Sequence, residues 1–213
     1  MILFVPGSDE PTNANLDIGK RLANGHIHLL AEKAIRSNLI ELLHELKNES
    51  LFSMSHGKSD MLLDNNRETA IGIDDKHLFT NRVVYAWACH TGSNLGKHIA
   101  DNNGIWWGYT GAVTAPSTSE PFRQKQEEVF RFIQNRFEEA RTKEDILKVL
   151  NELKDKCDEM LSFFDELQDV YPDEDILEIY SCSNQIWSRL CVWHPSRDEP
   201  LMHKESGGLL LDI

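Results

Sequence analysis

The sequence predicts an α/β protein: a mostly parallel sheet flanked by helices, with an all-helical C-terminal extension. Two observations carry this expectation. Over the first 115 residues short apolar runs alternate with stretches of helical period, a pattern that implies parallel strands joined by helical crossovers. From Glu120 the apolar runs give way to helical periodicity alone. The expected boundaries are 1–118 for the α/β core, 119–194 for a helical extension packed on it, and 195–213 for a turn-rich tail. Within that tail, Leu209-Leu210-Leu211 reads as a returning edge strand.

The elements follow in order. Met1 to Val5 is a continuous apolar run closed by Pro6-Gly7, as in a strand buried on both faces. Residues 8–25 are rich in Asn, Asp and Gly and read as a long loop with at most a helical turn. His26 to Leu30 alternates as a second, weaker strand. Ser37 is placed to cap a helix carrying Leu39, Ile40, Leu42, Leu43 and Leu46 on one side. Leu51 to Ser55 is a strand stopped by His56-Gly57, and Met61 to Ile71 a hairpin about an Asn-rich turn. Asp74 opens a short helix through Leu78. The clearest strand is Arg82 to Cys89; after Thr91-Gly92, Ser93 caps a helix through Leu95, Ile99 and Ala100. Gly104 to Thr110 completes the core strands. Beyond it lie a helix through Val129, Phe130, Ile133 and Phe137, another opened by the Thr142/Asp145 capping pair, and a third from Pro172-Asp173 through Leu190.

Composition bounds the function. Of 213 residues, 40% are apolar and 27% charged, enough for a sizeable core. Lys plus Arg number 22 against 35 Asp plus Glu, a net charge of 22 − 35 = −13. This balance argues against direct nucleic-acid binding and against docking on anionic membranes. No apolar run approaches a membrane span, and the opening run is too short and too little basic for a secretion signal. The four cysteines have unrelated spacings, as expected of reduced thiols in a cytoplasmic protein. His26 with His28, and Cys182 and Cys191 with His194, lack zinc-site spacing, so no metal and no cofactor are expected.

Two strand ends hold the candidate chemistry: Ser53-Met54-Ser55-His56-Gly57 and Trp87-Ala88-Cys89-His90-Thr91-Gly92. In an open parallel sheet, sites form beyond the carboxyl ends of the strands, and neighbouring strands run about 4.8 Å apart. A histidine closing one strand and a cysteine closing the next can therefore meet on one rim. Cys89 would supply the nucleophilic thiolate, with His56 as general base and then acid. The helix starting near Ser93 would bring a positive end towards the thiol. The amides of Gly57 and Cys89 would form an oxyanion hole. Asp60, just beyond His-Gly, is a candidate to orient His56 or to shape the substrate cleft. Trp106 and Trp107 are further cleft candidates, alternation sending one ring inward and one outward.

The segment from Leu51 to about Val113 resembles the caspase-like cysteine peptidases of clan CD, most closely the prokaryotic CHAT domain. Ser55-His56-Gly57, Leu62-Leu63-Asp64, Ala88-Cys89-His90-Thr91-Gly92 and the later Gly108 and Gly111 carry the resemblance. It implies a Cys89/His56 dyad with Gly57 and Cys89 as oxyanion donors. It also implies an endopeptidase cleaving protein or peptide substrates through a thioester acyl-enzyme. Stress or antiviral signalling under a regulatory partner protein would be its setting. No tetratricopeptide repeats accompany the segment, and the helical part from Glu120 matches no motif of the family.

Each residue alone has a plainer reading: Cys89 as a small core residue, His56 as a turn residue, Asp60 and the acidic helix faces as solvated surface. The alternative function is accordingly a non-catalytic interaction module presenting acidic helices to a basic partner. A flavodoxin-like small-molecule binder is weaker still, because Val5-Pro6-Gly7-Ser8 offers one glycine where a phosphate loop needs several.

Overall fold

The computed structural model describes residues 1–167, 170–171 and 176–206. Seven strands form one sheet in the order β10-β9-β8-β7-β3-β1-β2, and a separate three-stranded sheet has the order β4-β5-β6. The large sheet comprises β1 (Ile2–Val5), β2 (Ile27–Leu30), β3 (Leu51–Met54), β7 (Val83–Trp87), β8 (Ile105–Tyr109), β9 (Leu190–Trp193) and β10 (Leu201–Met202). Strands β2, β1, β3, β7 and β8 are mutually parallel; β9 runs antiparallel to β8 and β10 antiparallel to β9. The small sheet, of β4 (Gly57–Lys58), β5 (Met61–Leu63) and β6 (Thr69–Gly72), follows directly from the end of β3.

Every residue of β7 and β8 is buried, because both sheet faces are covered. Alternation divides them between two cores. Val83, Tyr85, Trp87, Ile105, Trp107 and Tyr109 enter the core formed with α1 (Glu10–Leu22), α4 (Phe122–Arg136), α5 (Lys143–Leu167) and α6 (Ile176–Ser188). Val84, Ala86, Ala88 and Trp106 enter the other, with α2 (Arg36–Glu45), α3 (Asn94–Asp101) and the hairpin sheet.

Three expectations are corrected. Residues 10–22, expected as loop, form α1, opened by a reciprocal cap between Asp9 and Thr12 with Pro11 in its first turn. Its Gly19 lies so near β1 that a Cβ there would stand 2.9 Å from a Val5 methyl, which is how a polar helix lies close on a buried strand. The C-terminal part is not all-helical. Leu190–Trp193, expected to end a helix, is β9, and the tail contributes β10. Strand β9 pairs with β8 and β10 adds outside β9, so the part from residue 119 onward completes the sheet as well as covering it. The expected helix start at Pro172-Asp173 and the Leu209–Leu211 strand lie outside the described residues.

Candidate active site

The chain passes from β1 outward to β2, then back across β1 to β3. The strand order therefore reverses between β1 and β3, and the crevice beyond their carboxyl ends is where open α/β sheets place ligands. Three segments end there: Gly7-Ser8-Asp9 after β1, His56-Gly57 after β3 and Cys89-His90 after β7.

The structure brings His56-Gly57 and Cys89 together. Strand β3 pairs with β7 through Met54 opposite Trp87, and the Ser55 amide donates to the Trp87 carbonyl at 3.1 Å. One residue further, Gly57 packs against the next turn: a Cβ there would stand 2.7 Å from the Cys89 carbonyl oxygen and 2.6 Å from a Thr91 methyl. Only a residue without a side chain allows this approach. The Leu63 amide donates to the His56 carbonyl, so Gly57 opposite Leu62 is a non-hydrogen-bonded pair of the hairpin. Its N–H therefore points away from β5. The Cys89 amide has no acceptor among the described residues. Both expected oxyanion donors are thus outside the ladders.

Cys89 differs from the other cysteines. All four are free thiols, but Cys157, Cys182 and Cys191 are buried and Cys89 is partly exposed. Burial pushes the Cys157 and Cys182 thiols far up and that of Cys191 up to about 12, which keeps them protonated and unreactive. Cys89 sits on a sharp turn, with His90 behind it at φ +60°, a conformation costly for a side-chain-bearing residue and found at functional sites. Above the thiol lies Val113, whose amide donates to Cys89 Sγ at 3.4 Å and whose carbonyl accepts at 3.7 Å. The expected contribution of the α3 end is absent from this contact set: the Asn94 and Leu95 amides donate to the Ser59 carbonyl in the β4–β5 turn.

His56, with its side chain 33% exposed, bonds through Nε2 to Asp9 Oδ2 at 2.7 Å. Asp9 is thus a site residue that the sequence reading missed. Its other oxygen, Oδ1, accepts from the Thr12 amide at 3.1 Å and the Thr12 hydroxyl at 2.6 Å, and Arg67 from the β5–β6 turn also reaches Oδ2. Burial raises the Asp9 carboxyl, but the hydrogen bonds from Thr12 and His56 outweigh it and hold the group well below the usual carboxylate range. Its position after the first buried strand, combined with the switch-point rule, was the available signal. No hydrogen bond joins the imidazole to Cys89 Sγ among the described residues.

The other candidates fall elsewhere. Asp60 lies in the β4–β5 turn and makes no hydrogen bond to His56. Trp106 and Trp107 are both fully buried. Each ring points inward, one to each core, because the sheet is covered on both faces, so neither lines an open cleft. A cleft of about 400 Å³ is walled instead by Glu10, Pro11 and Ala14 of α1, the 115–119 loop and Glu178 of α6. It adjoins the site, since Glu10 follows Asp9 and Ala115 closely follows Val113. Among the described residues no helix is long and apolar enough to cross a membrane.

Comparison of the chain with protein-family models and with curated proteins returns no match.

Proposed function

We propose that the protein is a caspase-like cysteine endopeptidase with Cys89 as nucleophile and His56 as general base and acid. The observation that supports this most is the close approach of Gly57, the residue after His56, to the backbone of Cys89, the one partly exposed thiol of four. The Cys89 thiol transfers its proton to the imidazole, and the thiolate adds to the scissile carbonyl. The Gly57 and Cys89 amides receive the oxyanion. The amine then leaves with the proton from His56, and water, deprotonated by the same imidazole, hydrolyses the thioester. A side chain flanking the cut fits the cleft beside α1, where the carboxylate of Glu10 favours lysine or arginine.

Access is the second feature of this proposal. Val113 lies against Cys89, so a shift of the 111–117 loop would widen a peptide's path to the sulfur. A regulatory partner protein acting on that loop would set activity, in keeping with a protease of stress or antiviral signalling.

A peptidyl acyloxymethyl ketone tests the assignment. It should label the wild-type protein at one thiol, the label should vanish in Cys89→Ala and in His56→Ala, and it should persist in Cys157→Ala. A protein that takes no label, with or without its genomic neighbours, is better described as a non-catalytic module for a basic partner.

A further inference from the structure

We propose that Asp9 is the positioning residue for His56, fixing the imidazole in the tautomer that leaves Nδ1 free to accept the thiol proton. The inference rests on the cysteine-peptidase reading above and extends it to a residue outside the dyad.

The two oxygens of Asp9 are divided between two tasks. Oδ1 caps α1 through the Thr12 amide and hydroxyl. Oδ2 faces His56 Nε2 at 2.7 Å and also receives Arg67. A carboxylate offers acceptors only, so the imidazole nitrogen opposite Oδ2 must carry the hydrogen. In a neutral ring the remaining nitrogen, Nδ1, is then the bare one and the base. Nδ1 has no hydrogen-bond partner among the described residues. When Nδ1 takes the proton from Cys89, the positive ring stays against a carboxylate; Asp9 itself neither gains nor loses a proton. Arg67 fixes the carboxylate from its other side, so rotation of Asp9 away from the ring breaks an ion pair as well as a cap.

A helix cap alone would explain Thr12 but not the second oxygen, and substitution separates the two tasks. Asn is as good an N-cap as Asp, so Asp9→Asn can keep its oxygen on Thr12. It then presents an amide N–H₂ to His56, a donor facing a donor. Relief requires the imidazole to move its hydrogen to Nδ1, the wrong nitrogen for a base.

The experiment pairs ¹⁵N NMR of the ring nitrogens with inactivation by a peptidyl acyloxymethyl ketone, in wild type, Asp9→Asn, Asp9→Ala and His56→Ala. The wild-type His56 should be protonated at Nε2, and Asp9→Asn should move the proton to Nδ1 while its thermal midpoint at neutral pH, lowered by loss of the carboxylate charge, falls less than that of Asp9→Ala because the Thr12 cap is kept. Its maximal inactivation rate should fall by about 10²-fold or more, as for acid–base triads that lose their carboxylate. Its half-saturating ketone concentration should stay unchanged, since Asp9 does not touch the ligand. Asp9→Ala should lose both stability and rate. An Asp9→Asn protein with wild-type tautomer and rate would overturn the positioning role while leaving the dyad intact. A wild-type protein labelled no faster than His56→Ala would overturn the dyad and this role together.

Discussion

At the scale of single residues, the site depends on close approach and on charge. Gly57→Ala puts a methyl 2.7 Å from a backbone oxygen, which forces the β3 and β7 ends apart. Labelling of Cys89 by the ketone should fall by roughly 10²-fold or more, the usual loss when an oxyanion donor is displaced, with the fold retained by circular dichroism. Asp9 also links the site to acid stability. Its carboxyl titrates lower in the folded chain than in the unfolded one, so its contribution is present above the unfolded value near 3.8 and is lost as pH falls below it. Melting curves should show wild-type stability dropping from pH 5 towards pH 2 more steeply than that of Asp9→Asn; parallel curves would contradict the assignment. His56 and Cys89 were legible in sequence because each ends an apolar run. Asp9 was not, because nothing local distinguishes a helix cap from a carboxylate that also holds an imidazole.

Secondary-structure elements show why some starts and stops escaped the sequence. Helix α1 carries buried Ala14, Ile18 and Leu22 at helical steps, yet its Asn, Asp and Gly content reads as loop. Helix α2 begins at Arg36 without a cap from its own flank; the Arg36 amide is satisfied by Asp64, 28 residues away on the hairpin. Helix α3 is likewise received by Ser59. Such distant caps leave no local trace, whereas the Thr142 hydroxyl accepts the Asp145 amide at 3.2 Å as the sequence pattern requires. The end of α2 is closed by Arg82, a fully buried guanidinium that donates to the carbonyls of Leu43, Leu46 and Glu49. Arg82→Ala should lower unfolding free energy by about 3 kcal/mol, because charged donors leave several buried acceptors unpaired. A shift of the urea midpoint checks this, and an unchanged midpoint would show that water replaces the guanidinium.

For the molecule as a whole, the helices from residue 122 onward hold the loop that covers Cys89. Gln185 of α6 accepts the Thr114 amide at 2.6 Å and donates to the Thr114 hydroxyl at 3.2 Å. Gln126 of α4 accepts the Ser117 amide at 2.7 Å, and Arg189 reaches the Ala112 carbonyl. The sheet continues the connection: buried Tyr109 on β8 donates its hydroxyl to the Ile186 carbonyl of α6. Gln185→Ala should loosen the 111–117 segment, seen as faster amide exchange there, and speed alkylation of Cys89 by iodoacetamide. Faster exchange without faster alkylation would mean that the loop does not gate the thiol.

From local patterning came a mostly parallel sheet with helices on its faces, a first strand buried on both sides, and a histidine and a cysteine at strand ends. These follow from local apolar runs and their spacing. Only the tertiary structure decided that β1 lies beside β3, bringing Asp9 to His56, that Val113 covers Cys89, and that the last strands return to the sheet edge. Strand order and loop contacts arise from burying both faces at once, a condition satisfied by the whole chain and not by any single segment.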